Sequence, residues 1–308
     1  MRMRRVLIAL CLSFLVGAAS AAVPAPEVVK VNERVYALLG PMEMPNAKNR
    51  GYMVNSTVIL GETGVILIDT GFTDEIGKRL REEIARITSK PVTHVINTHH
   101  HGDHSLGNTA FPEAEVLSAE MCKQLVEQTG WEWVEMVEGM TGMKFPDTKP
   151  VPASVTYAPE SRTEVTLQGV RMSMWVPKGS HTEGDMMVYL PDDQVLVAGD
   201  ILVNEITPNF RDGKVAQWID TLEEVAGLDA ETIIPGHGPL MDKDEAAAMQ
   251  QRMAALYAGV EEAYLDGAMS SDIRARVDLS EWERLLHFEE NMGGNISRTY
   301  LEVEEANF

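Results

Sequence analysis

Thr98-His99-His100-His101-Gly102-Asp103-His104 gathers four histidines and one aspartate into seven residues, directly after the apolar run 92–97. Neutral imidazole and carboxylate are the ligands that Zn²⁺, Fe²⁺ or Mn²⁺ accept. A strand that ends in such a cluster has the layout of a metal site. His99 and His101 stand two apart, so in extended chain their side chains leave on the same side. His100 points the other way and reads as a supporting or structural residue. Asp103 and His104 follow where the chain can turn back on the same spot. A histidine-rich surface loop is the competing explanation for this cluster taken alone.

The rest of the chain argues against that explanation. His181 lies in Gly179-Ser180-His181-Thr182-Glu183-Gly184-Asp185, after the apolar stretch 170–176. Asp200 closes the run 195–200, and His237 lies in Ile233-Ile234-Pro235-Gly236-His237-Gly238-Pro239. Each follows a β-rich run beside glycine, which lets backbone approach a site closely.

With these motifs in order, and with the early turn Leu67-Ile68-Asp69-Thr70-Gly71, the chain from about residue 28 to 240 resembles the metallo-β-lactamase superfamily. That family's signature is His-x-His-x-Asp-His, then a distant His, an Asp and a final His. The resemblance implies an α/β fold, an αββα four-layer sandwich with its site along the edge where the sheets meet. It also implies two metals. His99, His101 and His181 would hold the first, Asp103, His104 and His237 the second, and Asp200 would bridge them. Asp69 falls where the family braces its metal loop. The cofactor expected is Zn²⁺, two per chain, with iron or manganese as alternatives.

Such a centre lowers the pKa of bound water from ~15.7 to about 7, making hydroxide available at neutral pH. The hydroxide can attack an ester, lactone, thioester or amide carbonyl, while Asp103 handles the leaving group's proton. No Gly-x-Ser-x-Gly elbow competes for the role. Cys122, in an expected helix, reads as a small packing residue, and His94 and His287 read as packing or surface histidines.

Two departures bear on the branch of the family. The commonest β-lactamases have a cysteine where Asp200 stands and a lysine three residues on, where this chain has Val203. Lactonases and glyoxalase-type thioesterases use an aspartate bridge. The overall look is closest to periplasmic zinc hydrolases of the quinoprotein-relay type, with weak β-lactam hydrolysis compatible. The alternative is a persulfide dioxygenase of the same fold, with one iron held by two histidines and an aspartate. The intact second ligand set speaks for the hydrolase.

Residues 1–22 carry Arg2, Arg4 and Arg5, an apolar stretch 6–17 and a small-residue end, the pattern of a signal peptide with an apolar core short for a transmembrane helix, an uncleaved anchor being the alternative. The expected address is the bacterial periplasm or the exterior. Removal of this segment leaves 23 basic against 47 acidic residues, a formal charge of −24. That charge disfavours nucleic acid and anionic membrane surfaces as partners. A small-molecule substrate and no stable membrane association are expected. Only Cys122 remains, so no intramolecular disulfide forms.

The organisation expected is a hydrolase domain over 23–241 and a helical extension over 242–308. Strands are expected at 28–39, 52–60, 65–69, 114–117 and 232–234, with paired strands supplied by 155–176 and by 186–197 around a turn at 191–193, and helices at 73–87, 119–141 and 217–228. Residues 131–152 carry Trp131, Trp133, Met136, Met140, Met143 and Phe145. They read either as a core helix or as a flexible apolar cover over the site that accepts varied substrate groups. Helices are expected at 246–265 and 280–290, with Gly293-Gly294 as a break. The extension would pack on the sandwich, form a dimer contact or wall the pocket.

Overall fold

The computed structural model describes residues 22–308, so all but the last residue of the expected signal peptide lies outside it. Two sheets form the centre of the fold. The first contains, in spatial order, β1 (Glu27–Lys30), β2 (Val35–Leu39), β3 (Ser56–Leu60), β4 (Val65–Ile68), β5 (Val92–Ile96), β6 (Glu115–Ala119) and β7 (Val155–Tyr157). The second is ordered β12 (Thr232–His237), β11 (Val195–Val203), β10 (Met187–Leu190), β9 (Val170–Val176) and β8 (Ser161–Leu167). Pairing is antiparallel from β1 to β4 and parallel from β4 to β7. In the second sheet only β11 and β12 run parallel.

Side-chain alternation explains the layering. Along β4, Val65 and Leu67 pack outward with Ile76, Leu80 and Ile84 of helix α1 (Asp74–Ile87). Ile66 and Ile68 turn inward to meet Met172, Met174, Val188 and Val197 of the second sheet. A strand covered on both faces must be apolar at every position, as β4 is. The outer face of the second sheet, with Leu196, Leu202 and Ile233, is covered by α4 (Val215–Ala226), α5 (Lys243–Leu265) and α6 (Phe288–Ala306). The result is the expected αββα sandwich with C-terminal helices. Among the described residues no helix is long and apolar enough to cross a membrane.

Three expectations need correction. The stretch 28–39 is two strands, because the Asn32 side chain accepts from the Arg34 and Val35 amides and turns the chain. The stretch 155–176 is three strands, and its first, β7, pairs with β6 of the other sheet. The chain changes sheets at 158–160, where Glu160 adopts φ 52°. Residues 280–286 form turns rather than a helix, and α6 runs through Gly293 and Gly294 without a break. A Cβ at either glycine would meet nothing within 4 Å, so both lie on an open face. The opposite face buries Met292, Ile296, Thr299 and Val303, a helical stripe. That burial outweighs the ~1 kcal/mol cost of each glycine relative to alanine.

Candidate metal centre

The loop after β5 is held in place before any ligand is considered. Asp69, at the end of β4 with φ 60°, accepts from the Thr98 amide at 2.9 Å, the Thr98 hydroxyl at 2.7 Å and His104 Nδ1 at 2.8 Å. The bracing role expected for Asp69 is thus visible in its contacts. The His104 carbonyl in turn accepts from the Thr70 amide and the Asn97 side chain. His101 caps the short helix α2 (Gly102–Ser105), which turns Asp103 and His104 back toward the loop.

All seven expected ligands come together. One atom each from His99, His101 and His181 lie within 4.8 Å of one another, and the same holds for His99, His104 and Asp200 and for Asp103, His104 and His237. His181 Nε2 is 3.0 Å from His101 Nδ1. His237 Nε2 is 3.2 Å from Asp103 Oδ2 and 3.3 Å from Asp200 Oδ1. Asp200 Oδ1 also lies 3.2 Å from His104 Nε2, while Oδ2 lies 3.6 Å from His181 Nε2. Asp200 does not close its strand as expected. It lies inside β11, whose register against β12 shifts twice around Gly199, and such irregularities re-aim side chains. Gly236 makes room for it, since a Cβ there would sit 2.0 Å from Asp200 Oδ1.

Each histidine of the set is also held from behind, as metal-binding imidazoles are. His104 donates to Asp69, His181 Nδ1 to the Asn209 carbonyl at 3.1 Å, and His237 Nδ1 to the Met53 carbonyl at 3.0 Å. His101 Nε2 pairs with Asp212 Oδ2 at 3.1 Å, and His99 Nδ1 with the Thr98 hydroxyl at 3.1 Å. Facing inward, His99 Nε2 is buried without a hydrogen-bond partner, and His104 Nε2 and Asp200 Oδ1 face only each other and the neighbouring ligand atoms. Buried polar atoms are rarely left so. Converging imidazole nitrogens and carboxylate oxygens form a donor set that divalent cations complete, so the residues present fit a pair of metal ions.

The two halves differ electrostatically. Burial pushes His99 well below its ordinary range and His181 to about 3, which keeps both neutral. Burial also opposes charge on His104 and His237, but Asp200 and Asp103 outweigh it. They hold His104 well above the ordinary range and His237 at about 10.

A cavity of about 200 Å³ opens onto the centre and is lined by Met44, Phe72, Trp133, Met136 and Met140 beside His101, Asp103 and Asp200. The Trp133 ring lies 4.8 Å from that of His101. The two readings of the methionine-rich stretch are both partly met. Helix α3 (Glu120–Thr141) buries Val126, Val134 and Val137, while Trp133, Met136 and Met140 face the cavity. The cover is one side of an ordered helix.

Sequence reasoning missed Asp212 and the Asn209 and Met53 carbonyls. Arg211-Asp212-Gly213 does make a turn, as its composition suggests, with the Gly213 amide bonded to the Phe210 carbonyl. No local signal announces that the same turn reaches His101. His94 stays on β5 beside Thr93, as expected. His100 is buried against Trp133. His287 is more than a surface residue, since it lines the cavity and pairs with the Met42 carbonyl at 2.8 Å. Cys122 is buried, and burial pushes its thiol up to about 12. The thiolate is the reactive form, so native protein treated with iodoacetamide should yield an unmodified Cys122 peptide. Rapid labelling before unfolding would contradict this burial.

A family model described as the metallo-beta-lactamase superfamily matches residues 49–237. A metallo-beta-lactamase type 2 from Bacillus sp. (strain 170) is 26% identical over 197 residues, covering 61% of this chain and 68% of that protein. The 2,4-dinitroanisole O-demethylase subunit alpha of Nocardioides sp. (strain JS1661) is 28% identical over 182 residues, covering 58% of this chain and 51% of that one. A linear primary-alkylsulfatase from Pseudomonas sp. (strain ATCC 19151) is 23% identical over 212 residues, covering 57% and 39%. The chain thus spans about two thirds of the first relative, half of the second and less of the third. Among solved structures, a metallo-beta-lactamase from Pontibacter korlensis superposes with a TM-score of 0.60 at 21% identity, covering 74% of this chain and 99% of that one.

Proposed function

We propose that this chain, which belongs to the metallo-beta-lactamase superfamily, is a two-zinc hydrolase of the periplasm or exterior that cleaves an ester, lactone, thioester or amide bearing an apolar group. At the coarser level, the family and its named relatives make it a metal-dependent hydrolase acting on small molecules. The observation that carries the finer reading is the complete inward set of seven ligands, with every histidine fixed through its other nitrogen. His99, His101 and His181 would hold one ion, Asp103, His104 and His237 the other, and Asp200 would reach both. Two bound zinc ions would supply a hydroxide nucleophile at neutral pH and an electrophile for the carbonyl oxygen.

The chain's own residues do the rest. Asp103 lines the cavity and is the carboxylate placed to carry a proton to the leaving group. Trp133, Met136 and Met140 offer adaptable apolar contact, which suits varied acyl or leaving groups and excludes water from the bond under attack. Val203 lines the cavity where a lysine would grip a β-lactam carboxylate, so β-lactam turnover should be weak. The activities named for the relatives range over β-lactams, a methyl aryl ether and alkyl sulfates, which supports reading the pocket wall as the determinant of the substrate.

Elemental mass spectrometry of protein purified without added metal or chelator, paired with a panel of lactones, thioesters and p-nitrophenyl esters, tests this proposal. About two zinc ions per chain and kcat/KM rising with acyl length are expected. One iron without zinc, together with oxygen uptake on a sulfur substrate, would overturn it in favour of a persulfide dioxygenase.

A further inference from the structure

We propose that the C-terminal helix α6 is a working part of the metal centre: through Asn295 and its neighbours it fixes the segment 207–216, and that segment sets the metal affinity of the three-histidine half. The inference rests on the two-metal reading above.

Segment 207–216 joins β11 to the start of α4 and is largely irregular, so its backbone groups need partners from elsewhere. Helix α6 provides many of them. Asn291 Nδ2 donates to the Thr207 carbonyl and Asn295 Nδ2 to the Pro208 carbonyl, each at 2.8 Å. Asn295 Oδ1 accepts from the Phe210 amide at 2.9 Å. Arg298 Nε donates to the Gly213 carbonyl at 2.9 Å, and the Glu302 carboxylate accepts from the Val215 and Ala216 amides. Residues 291, 295, 298 and 302 form one stripe of the helix. The adjacent stripe of Met292, Ile296, Thr299 and Val303 anchors that helix in the core. Asn295 is almost wholly buried. An amide in that position is costly unless its hydrogen bonds are made, and both ends of this one are spent on the segment.

The segment then delivers two contacts to the centre, Asn209 carbonyl to His181 and Asp212 carboxylate to His101. Both recipients belong to the three-histidine half. The other half is braced from elsewhere, His104 by Asp69 and His237 by the Met53 carbonyl. Loosening α6 from the segment should therefore weaken one metal site and spare the other. The family match ends at residue 237, and this brace lies beyond it.

The test is zinc affinity, measured by competition with a chromophoric chelator on the full chain, for Asn295→Ala, Asp212→Asn and the double variant. His181→Ala marks which affinity belongs to the three-histidine half. Ser297→Ala, whose hydroxyl bonds only within the helix, serves as a control. Loss of an outer partner of a metal ligand costs about 10–100-fold in affinity. Asn295→Ala should weaken by that much the same site that Asp212→Asn weakens, leave the other site unchanged, and add little in the double variant. Should Asn295→Ala fail to fold, Asn291→Ala and Arg298→Ala at less buried positions give the same readout. Equal weakening of both sites, or a lowered Tm with both affinities intact, would overturn the proposal and leave α6 a packing helix. Wild-type protein that binds no zinc would instead sink the hydrolase reading itself.

Discussion

Asp200→Ala is expected to abolish turnover and to leave the protein with fewer than two metals per chain. Asp200 is the one carboxylate that approaches both halves of the centre, with Oδ1 against His104 and His237 and Oδ2 toward His181. Alanine would leave the His104 and His237 rings, whose centroids are 5.3 Å apart, with Asp103 alone as the carboxylate facing both and no carboxylate reaching toward His181. A metal centre contributes several kcal/mol of transition-state charge stabilisation. At ~1.4 kcal/mol per factor of ten, kcat/KM should fall by about a thousandfold or more. Elemental analysis and kinetics on the same preparation check this result. Two metals with full activity would remove Asp200 from the centre.

The second large effect is on stability. Asp69→Ala should lower unfolding free energy by about 3–5 kcal/mol, the range for removing one partner of a buried charged pair. The carboxylate accepts three hydrogen bonds, and its loss leaves the Thr98 amide unsatisfied where water does not reach, while the Thr98 hydroxyl and His104 Nδ1 keep only longer contacts, at 3.1 Å to His99 Nδ1 and 3.4 Å to each other. Asp69→Asn keeps the shape but turns a donor toward one of these donors, so it should fall between alanine and wild type. Thermal unfolding in chelator isolates the effect from metal binding. An unchanged Tm in Asp69→Ala would mean that the Thr70 amide and Asn97, which also hold His104, suffice to position the loop.

Much of the candidate centre was legible in the sequence because its residues are chemically rare and, Asp200 inside β11 apart, stand at or beyond strand ends. His99, His101, Asp103 and His104 are adjacent in the chain, and His181, Asp200 and His237 each follow an apolar run beside glycine. The contacts behind them were not legible. Asp212, Asn209 and Met53 act through positions that tertiary packing alone brings to the histidines, and two of the three act through backbone carbonyls, which carry no residue signature. The fold's layers followed from apolar runs such as β4. Its boundaries did not, because a single Asn32 turn or a change of sheet after Tyr157 leaves the average apolar pattern intact. The misread tail has the same origin. Gly293 and Gly294 signal a break by propensity, but the buried stripe beside them decides the outcome.

The ligands are divided between the two sheets. Four follow β5 in the first, and His181, Asp200 and His237 belong to the second, with the Asn55 side chain bonded across the seam to the Pro235 and Gly238 carbonyls. On the two-metal reading, the N-terminal half would supply one side of each ion's shell and the C-terminal half the remainder. Neither half would then hold metal in this way on its own. Substitution along the seam should therefore disturb the centre from either half, whereas changes at Met136 and Met140 of the cavity wall, which contribute no ligand, should alter substrate choice while sparing metal binding.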